Sequence, residues 1–162
     1  MSFNVRAISA DDEPFLWEML YLAIHVPEGH PTPSRDILKT PDIAKYVQGW
    51  GRAGDRGLIA IDEAGEPIGA AWLRLFDKAH PGYGYVAADI PELTMALLPQ
   101  VRGKGVGTRL LRELLATNAL VSLSVDPDNA ALKLYQRLGF REVGISGTSL
   151  TMLRDSRNLT KD

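Results

Sequence analysis

Three glycines alternate with other residues in Gln100-Val101-Arg102-Gly103-Lys104-Gly105-Val106-Gly107, and the stretches on either side give that segment its meaning. Before it, Ile90 to Leu98 reads as a strand, with Pro91 near its start where a missing donor is tolerated. After it, Val106, Leu110, Leu111, Leu114 and Leu115 recur at helical spacing in a pattern that runs to Asn118, while Arg109, Arg112 and Glu113 face elsewhere. Strand, glycine loop and helix N-terminus in that order form an anion site. Glycines let backbone amides approach a ligand closely, and the first helical turn leaves N–H groups unpaired at the positive end of the helix dipole. Arg102 and Lys104 add charge there, and Thr108 a hydroxyl.

Two familiar phosphate loops do not fit this spacing. A P-loop ends in Gly-Lys-Ser/Thr, and Lys104 comes too early for that. A dinucleotide fingerprint needs its third glycine three residues after the second. Gly107 comes one residue too soon, and no strand ending in an acidic residue follows at the right distance. Taken alone, the segment also reads as a turn that merely joins strand to helix.

The remaining pattern supplies a sheet. Phe3 to Ile8 alternates apolar and polar, and Asp11 is the expected N-cap of a helix carrying Leu16, Leu20 and Ile24. A proline-rich loop covers Pro27 to Pro33, and a second short helix is expected from Pro41 to Trp50. Leu58–Ile61 and Ile68–Leu75 form a hairpin around the turn at Asp62–Glu66, followed by the glycine- and tyrosine-rich loop His80–Tyr85. Val121–Val125 is a strand. Asp128–Leu138 is a helix with Ala131, Leu134, Tyr135 and Leu138 inward, Gly139 just beyond its end, and Phe140 making the apolar contact expected there. Arg141–Ile145 and Ser149–Leu153 close the pattern as a hairpin. The result is a mixed α/β sheet, antiparallel at its start, with helices on both faces.

No linker or repeat divides the 162 residues, so one domain is expected over 1–155, with a polar, frayed tail over 156–162. A net charge of −2 argues against a general nucleic-acid binder. The absence of cysteine removes disulfides, thiolate metal sites and a cysteine nucleophile together. His25, His30 and His80 fall in or near loops without metal spacing, so no metal is expected. No apolar run approaches the roughly 18 residues of a membrane span, and a cytoplasmic protein is expected.

Gln100-x-x-Gly103-x-Gly105 resembles the acyl-CoA motif of the GNAT superfamily of N-acetyltransferases, Gln/Arg-x-x-Gly-x-Gly/Ala. Asn129-x-Ala131-x-x-x-Tyr135-x-x-x-Gly139-Phe140 resembles that family's second cofactor-side element, and the order of elements from Phe3 to Leu153 is similar to its fold. The resemblance implies a GNAT fold, α/β (α+β), with about six to seven strands splayed between the fourth and fifth. It implies an acyltransferase that moves acetyl from acetyl-CoA, the acyl donor, to a primary amine by direct attack in a ternary complex. The pyrophosphate and pantetheine contacts would come from Leu97, Leu98, Gln100 to Thr108, Asn129 and Tyr135.

The same resemblance assigns roles. The Leu97 N–H would face the acetyl carbonyl and stabilise an oxyanion, and Tyr135 would protonate the leaving thiolate, although helix periodicity alone reads Tyr135 as a packed core residue. A base is needed because an alkylamine is mostly protonated at neutral pH. Glu92 and Asp89 are the candidates; three positions apart, they fall on opposite faces of a regular strand, and a water relay is a third route. Glu92 is favoured, although a solvent-facing strand carboxylate is the plain alternative. His25, Trp50, Tyr83 and Tyr85 are expected around the acceptor. The expected partner is a small-molecule amine or peptide, with no nucleic acid or membrane, and a homodimer is left open. The competing function is a non-catalytic acyl-CoA-binding or sensing module, which needs neither Tyr135 nor a base.

Overall fold

The computed structural model describes residues 1–159 and contains one seven-stranded sheet, in the order β1-β2-β3-β4-β5-β7-β6. Its strands are β1 (Phe3–Ala7), β2 (Arg56–Asp62), β3 (Pro67–Arg74), β4 (Glu92–Leu97), β5 (Leu120–Val125), β6 (Arg141–Ser146) and β7 (Ser149–Asp155). The helices are α1 (Glu13–Ala23), α2 (Pro41–Ala44), α3 (Val106–Leu115) and α4 (Leu132–Arg137). Every strand pair is antiparallel except β4–β5.

That one parallel pair touches at a single register point, Glu92 opposite Ser122, and then parts. On the other side β4 stays bonded to β3 along its length, as far as the Leu98 N–H on Ile68 O at 2.9 Å. In an antiparallel ladder alternate residues aim both backbone groups at one neighbour. Even-numbered residues of β4 therefore turn to β3, and Met95 and Leu97 turn their N–H and C=O groups into the gap beside β5.

Side chains follow the same alternation. Leu93, Met95 and Leu97 pack with Val106, Leu110, Leu111, Leu114 and Leu115 of α3, and with Tyr135 and Phe140. Ala96 faces the opposite side, with Leu16, Met19 and Leu20 of α1, and with Trp72 and Tyr46. Helices thus cover both faces, and the gap between β4 and β5 opens to both.

Several boundaries differ from the sequence pattern. Ser9 and Asp12, rather than Asp11, close the start of α1, with the Ser9 N–H donating to Asp12 Oδ2 at 2.7 Å; an ion pair with Arg6 holds that carboxylate at about 2. Helix α2 stops at Ala44 instead of Trp50 because side chains of β3 take the carbonyls that would continue it. Arg74 Nη1 donates to Lys45 O and Gln48 O at 2.9 and 2.7 Å, and Trp72 Nε1 donates to Tyr46 O at 3.0 Å. Helix α3 ends at Leu115, where Asn118 Nδ2 caps Leu114 O at 2.8 Å. Helix α4 starts late because Asn129 Oδ1 accepts from the Ala131 N–H at 2.9 Å, holding a turn there. In the tail, Ser156 N–H bonds Ala119 O at 2.9 Å and Leu159 approaches Gly139, while 160–162 lie outside the described residues.

Candidate active site

The glycine loop is built for backbone donation. Gly103 and Gly105 have φ of 75° and 84°, the left-handed region, and open space lies in front of both. Gly107 serves a different purpose: it lies inside α3, and a Cβ there would rest 3.4 Å from Met95. The motif spacing recurs two residues on, as Arg102-x-x-Gly105-x-Gly107. Gly105, the N-cap of α3, and Gly107, against the sheet, tie this second frame to the helix start.

The amides of Leu98, Val101 and Arg102 are spent on Ile68 O, Leu98 O and Pro99 O. Those of Gly103, Lys104 and Gly105 have no partner among the described residues, and those of Val106, Gly107 and Thr108 begin a helix whose first full turn closes at Arg109. Arg102, Lys104 and Gln100 are exposed beside them, whereas Val101 and Val106 bury their side chains in the core. The loop therefore offers six amides, two cations and the α3 dipole to a phosphate-bearing ligand, which fits the pyrophosphate of coenzyme A.

On the α1 side of the gap a cavity of about 320 Å³ opens. Glu92 and Thr94 of β4 reach it from one side, Ser124 and Asp126 from the other, and Tyr46, Tyr83 and His25 from the α1 side; Tyr135 lines it as well. Glu92 is 2% exposed, so it is a buried carboxyl and not a solvent-facing one. Its Oε2 accepts the Tyr46 hydroxyl at 2.5 Å and its Oε1 accepts the Gly84 N–H at 3.1 Å. Glycine is required in that loop, since a Cβ at Gly82 would overlap Glu92 Oε1 and one at Gly84 would overlap the β5 backbone at Leu123. Burial pushes the Glu92 pKa from 4.5 up to about 7, against the lowering pull of Tyr46, Gly84 and Lys45. Asp89, the other carboxylate candidate, is exposed and outside the cavity lining.

His25 and Tyr83 meet the cavity as expected, but Trp50 and Tyr85 do not line it. Trp50 lies beneath Arg74, with the guanidinium 5.6 Å from its ring, and Tyr85 packs into the α1-side core. Arg74 explains the arrangement: fully buried, it pairs with the equally buried Asp55 at 2.8 Å and so pins the segment that carries Tyr46. Sequence reasoning missed Tyr46, which follows a helix that ends early, and Asp126 and Asp128, which lie in a loop. His25 Nε2 lies 2.9 Å from Asp128 Oδ1 without hydrogen-bond geometry, which puts the end of α1 beside the segment after β5.

Tyr135 is held by the end of its own helix. The Phe140 N–H bonds Tyr135 O at 3.0 Å and the Gly139 N–H bonds Gln136 O at 3.1 Å, with Gly139 at φ 99°. This is a Schellman motif, and its apolar contact is Phe140 edge-on to Tyr135 at 5.7 Å. Burial raises the phenol to about 12, so it stays protonated, and its hydroxyl has no hydrogen-bond partner among the described residues.

The Acetyltransferase (GNAT) domain family matches residues 53–142, more than half of the chain. The chain belongs to the GNAT acetyltransferase family. The N-alpha-acetyltransferase RimI of Mycobacterium tuberculosis is 46% identical over 74 residues, 39% of this chain and 47% of RimI. The chain spans less than half the length of the curated relatives it matches. GNAT neighbours share the whole fold. The PaiA N-acetyltransferase of Thermoplasma acidophilum, in complex with coenzyme A, superposes with a TM-score of 0.66 at 19% identity over 96% of this chain and 99% of that one. The yncA structure from Salmonella typhimurium, with its cofactor acetyl-CoA, gives 0.65 at 18% identity over 100% and 98%. No helix among the described residues is long and apolar enough to cross a membrane, and none of their His, Asp and Glu side chains form a group of three or more suited to a metal.

Proposed function

We propose that this GNAT chain transfers acetyl from acetyl-CoA to a primary amine that reaches the cavity as a cation. The observation that carries this is that Glu92 and Tyr135, a proton acceptor and a proton donor, line one cavity at the gap between β4 and β5. Bound acetyl-CoA supplies a thioester carbonyl for the amine to attack. The amides from Gly103 to Thr108 hold the pyrophosphate, with Arg102 and Lys104 beside it. The Leu97 N–H, free of the β3 ladder, donates to the carbonyl oxygen as charge develops there. Glu92, near 7, is poised to receive the ammonium proton at neutral pH. Tyr135 gives its proton to the departing sulfur. An aqueous thiol titrates near about 8.5, well below the buried phenol. Both anions would sit in the same poorly solvated space, however, and desolvation lifts the thiolate in the same direction.

The acceptor class follows from the lining. Glu92 and Asp126 face the cavity and neither Lys nor Arg does, among the described residues. Such walls favour an ammonium and disfavour a carboxylate next to it. Simple alkylamines, polyamines and peptide N-termini therefore suit the site better than free amino acids. Acetyl-CoA at about 100 times its Kd should stabilise the fold by about 2.7 kcal/mol. Thiol release with spermidine, a tripeptide amide, ethylamine and free glutamate tests turnover, with glutamate expected slowest. No thermal shift at millimolar acetyl-CoA would sink the proposal, and a shift without thiol release would leave a binding module.

A further inference from the structure

Glu92 is too enclosed to meet an amine directly. Both of its oxygens already accept hydrogen bonds, and the loop through Gly82 and Gly84 closes over it. Tyr46 lines the same cavity beside Glu92 and donates to it, so the two form one hydrogen-bonded pair at the wall. Its hydroxyl oxygen has two acceptor positions. The Tyr83 N–H takes the stronger, in-plane one at 2.8 Å, and the amine would use the weaker one, conjugated with the ring. We propose, on the basis of the acetyltransferase reading above, that Tyr46 relays the acceptor's proton to Glu92.

The transfer balances as two linked steps. An N–H bond of the acceptor ammonium breaks as a new O–H bond forms on Tyr46. The original Tyr46 O–H bond breaks as a bond forms to Glu92 Oε2. Tyr46 ends neutral, and one proton has moved from the amine to the carboxylate. A free phenolate is never required, which matters because burial and the neighbouring Glu92 both raise the Tyr46 phenol. The surrounding charges leave the pair intact. Arg74, opposite Glu92 in the ladder, is committed to Asp55, and Lys45 donates to Pro81 O and Asp42. Tyr83 stacks on the Tyr46 ring at 6.4 Å, and Asp126 and His25 also line the cavity, neither of them hydrogen-bonded to Tyr46 or Glu92.

Tyr46→Phe removes the hydroxyl and keeps the packing, since the ring contacts with Phe76 and Tyr83 and the Trp72 bond to the Tyr46 carbonyl involve other atoms. With whichever of ethylamine, spermidine and a tripeptide amide the parent acetylates fastest, the variant should lose about 100-fold or more in kcat/KM. It should keep the acetyl-CoA thermal shift and lose the acid limb near 7 that Glu92 gives the parent. The Tyr46→Phe/Glu92→Gln double variant should be no worse than the poorer single, because the two act as one unit. Carbon-13 NMR should show the Glu92 carboxyl titrating higher in Tyr46→Phe, the hydrogen bond that lowers it being gone. Activity within about twofold of the parent, losses that multiply in the double variant, or an unmoved Glu92 titration would each overturn the relay. If the parent itself releases no thiol with any probe, the acetyltransferase reading fails first and takes the relay with it.

Discussion

Replacing Glu92 by Gln probes the buried carboxyl through stability, independently of any acceptor. In the unfolded chain it titrates near 4.5 and in the folded chain at about 7. Between those values the unfolded state has released a proton that the folded state still holds, so stability falls as pH rises through this window and levels off above it. At about 1.36 kcal/mol per pKa unit, the cost at pH 8 is roughly 3 kcal/mol. The carboxamide introduced by Glu92→Gln cannot ionise and escapes that cost. Its oxygen can still accept the Gly84 N–H, but its NH₂ group cannot accept the Tyr46 hydroxyl, a loss of about 1 kcal/mol. Glu92→Gln should therefore be about 2 kcal/mol more stable than the parent at pH 8, raising Tm by ~4–8 °C. The advantage should shrink on acidification and vanish or reverse near pH 4.5. Thermal or urea unfolding from pH 4.5 to 8.5 measures it. A variant less stable at pH 8, or a difference that ignores pH, would mean that the folded protein holds this carboxylate ionised at little cost, and would refute the link between its burial and its titration.

Tyr135→Phe should lower turnover by roughly 10- to 100-fold with the acetyl-CoA thermal shift retained; unchanged turnover in the thiol-release assay would remove Tyr135 from proton transfer. Gly105→Ala forces a side chain into the left-handed region at φ 84° and should cost about 1–2 kcal/mol while weakening acetyl-CoA binding, whereas Gly107→Ala meets only the side-chain ends of Met95 and Leu97 and should leave binding nearly unchanged. Isothermal titration with acetyl-CoA compares the two, and equal losses would refute the division of roles. Asp55→Ala strands the Arg74 guanidinium without its partner and should cost ~3–5 kcal/mol, a fall of ~6–20 °C in Tm by calorimetry; a change below about 2 °C would show that the pair does not hold the Tyr46 segment.

The glycine loop and the end of α4 were legible because their signals are local. Glycine spacing, a helix start and the Gly139–Phe140 ending are each written within a few neighbouring residues, and they placed the loop, Tyr135 and Phe140 from sequence alone. The cavity was legible only in part because it is assembled from distant segments. Periodicity carried α2 on to Trp50. The chain turns away earlier because Arg74 and Trp72, on a strand 26 to 29 residues later, claim its carbonyls. That contest leaves no local signal, so Tyr46 was missed and Trp50 was assigned to the acceptor. Strand parity separated Glu92 from Asp89, but the burial of Glu92 depends on a glycine loop closing over it.

The single register point between β4 and β5 makes the sheet, mechanically, two plates joined at a seam. β1 to β4 form one continuous lattice and β5 to β7 another, and shear between them meets little backbone resistance beyond Glu92 and Ser122. A ligand bonded along Met95 and Leu97 would lace that seam and turn two plates into one stiffer body. Such coupling runs both ways. Whatever fixes the plates relative to each other, including the approach of His25 to Asp128 across the opening, would also set how tightly the seam closes on such a ligand.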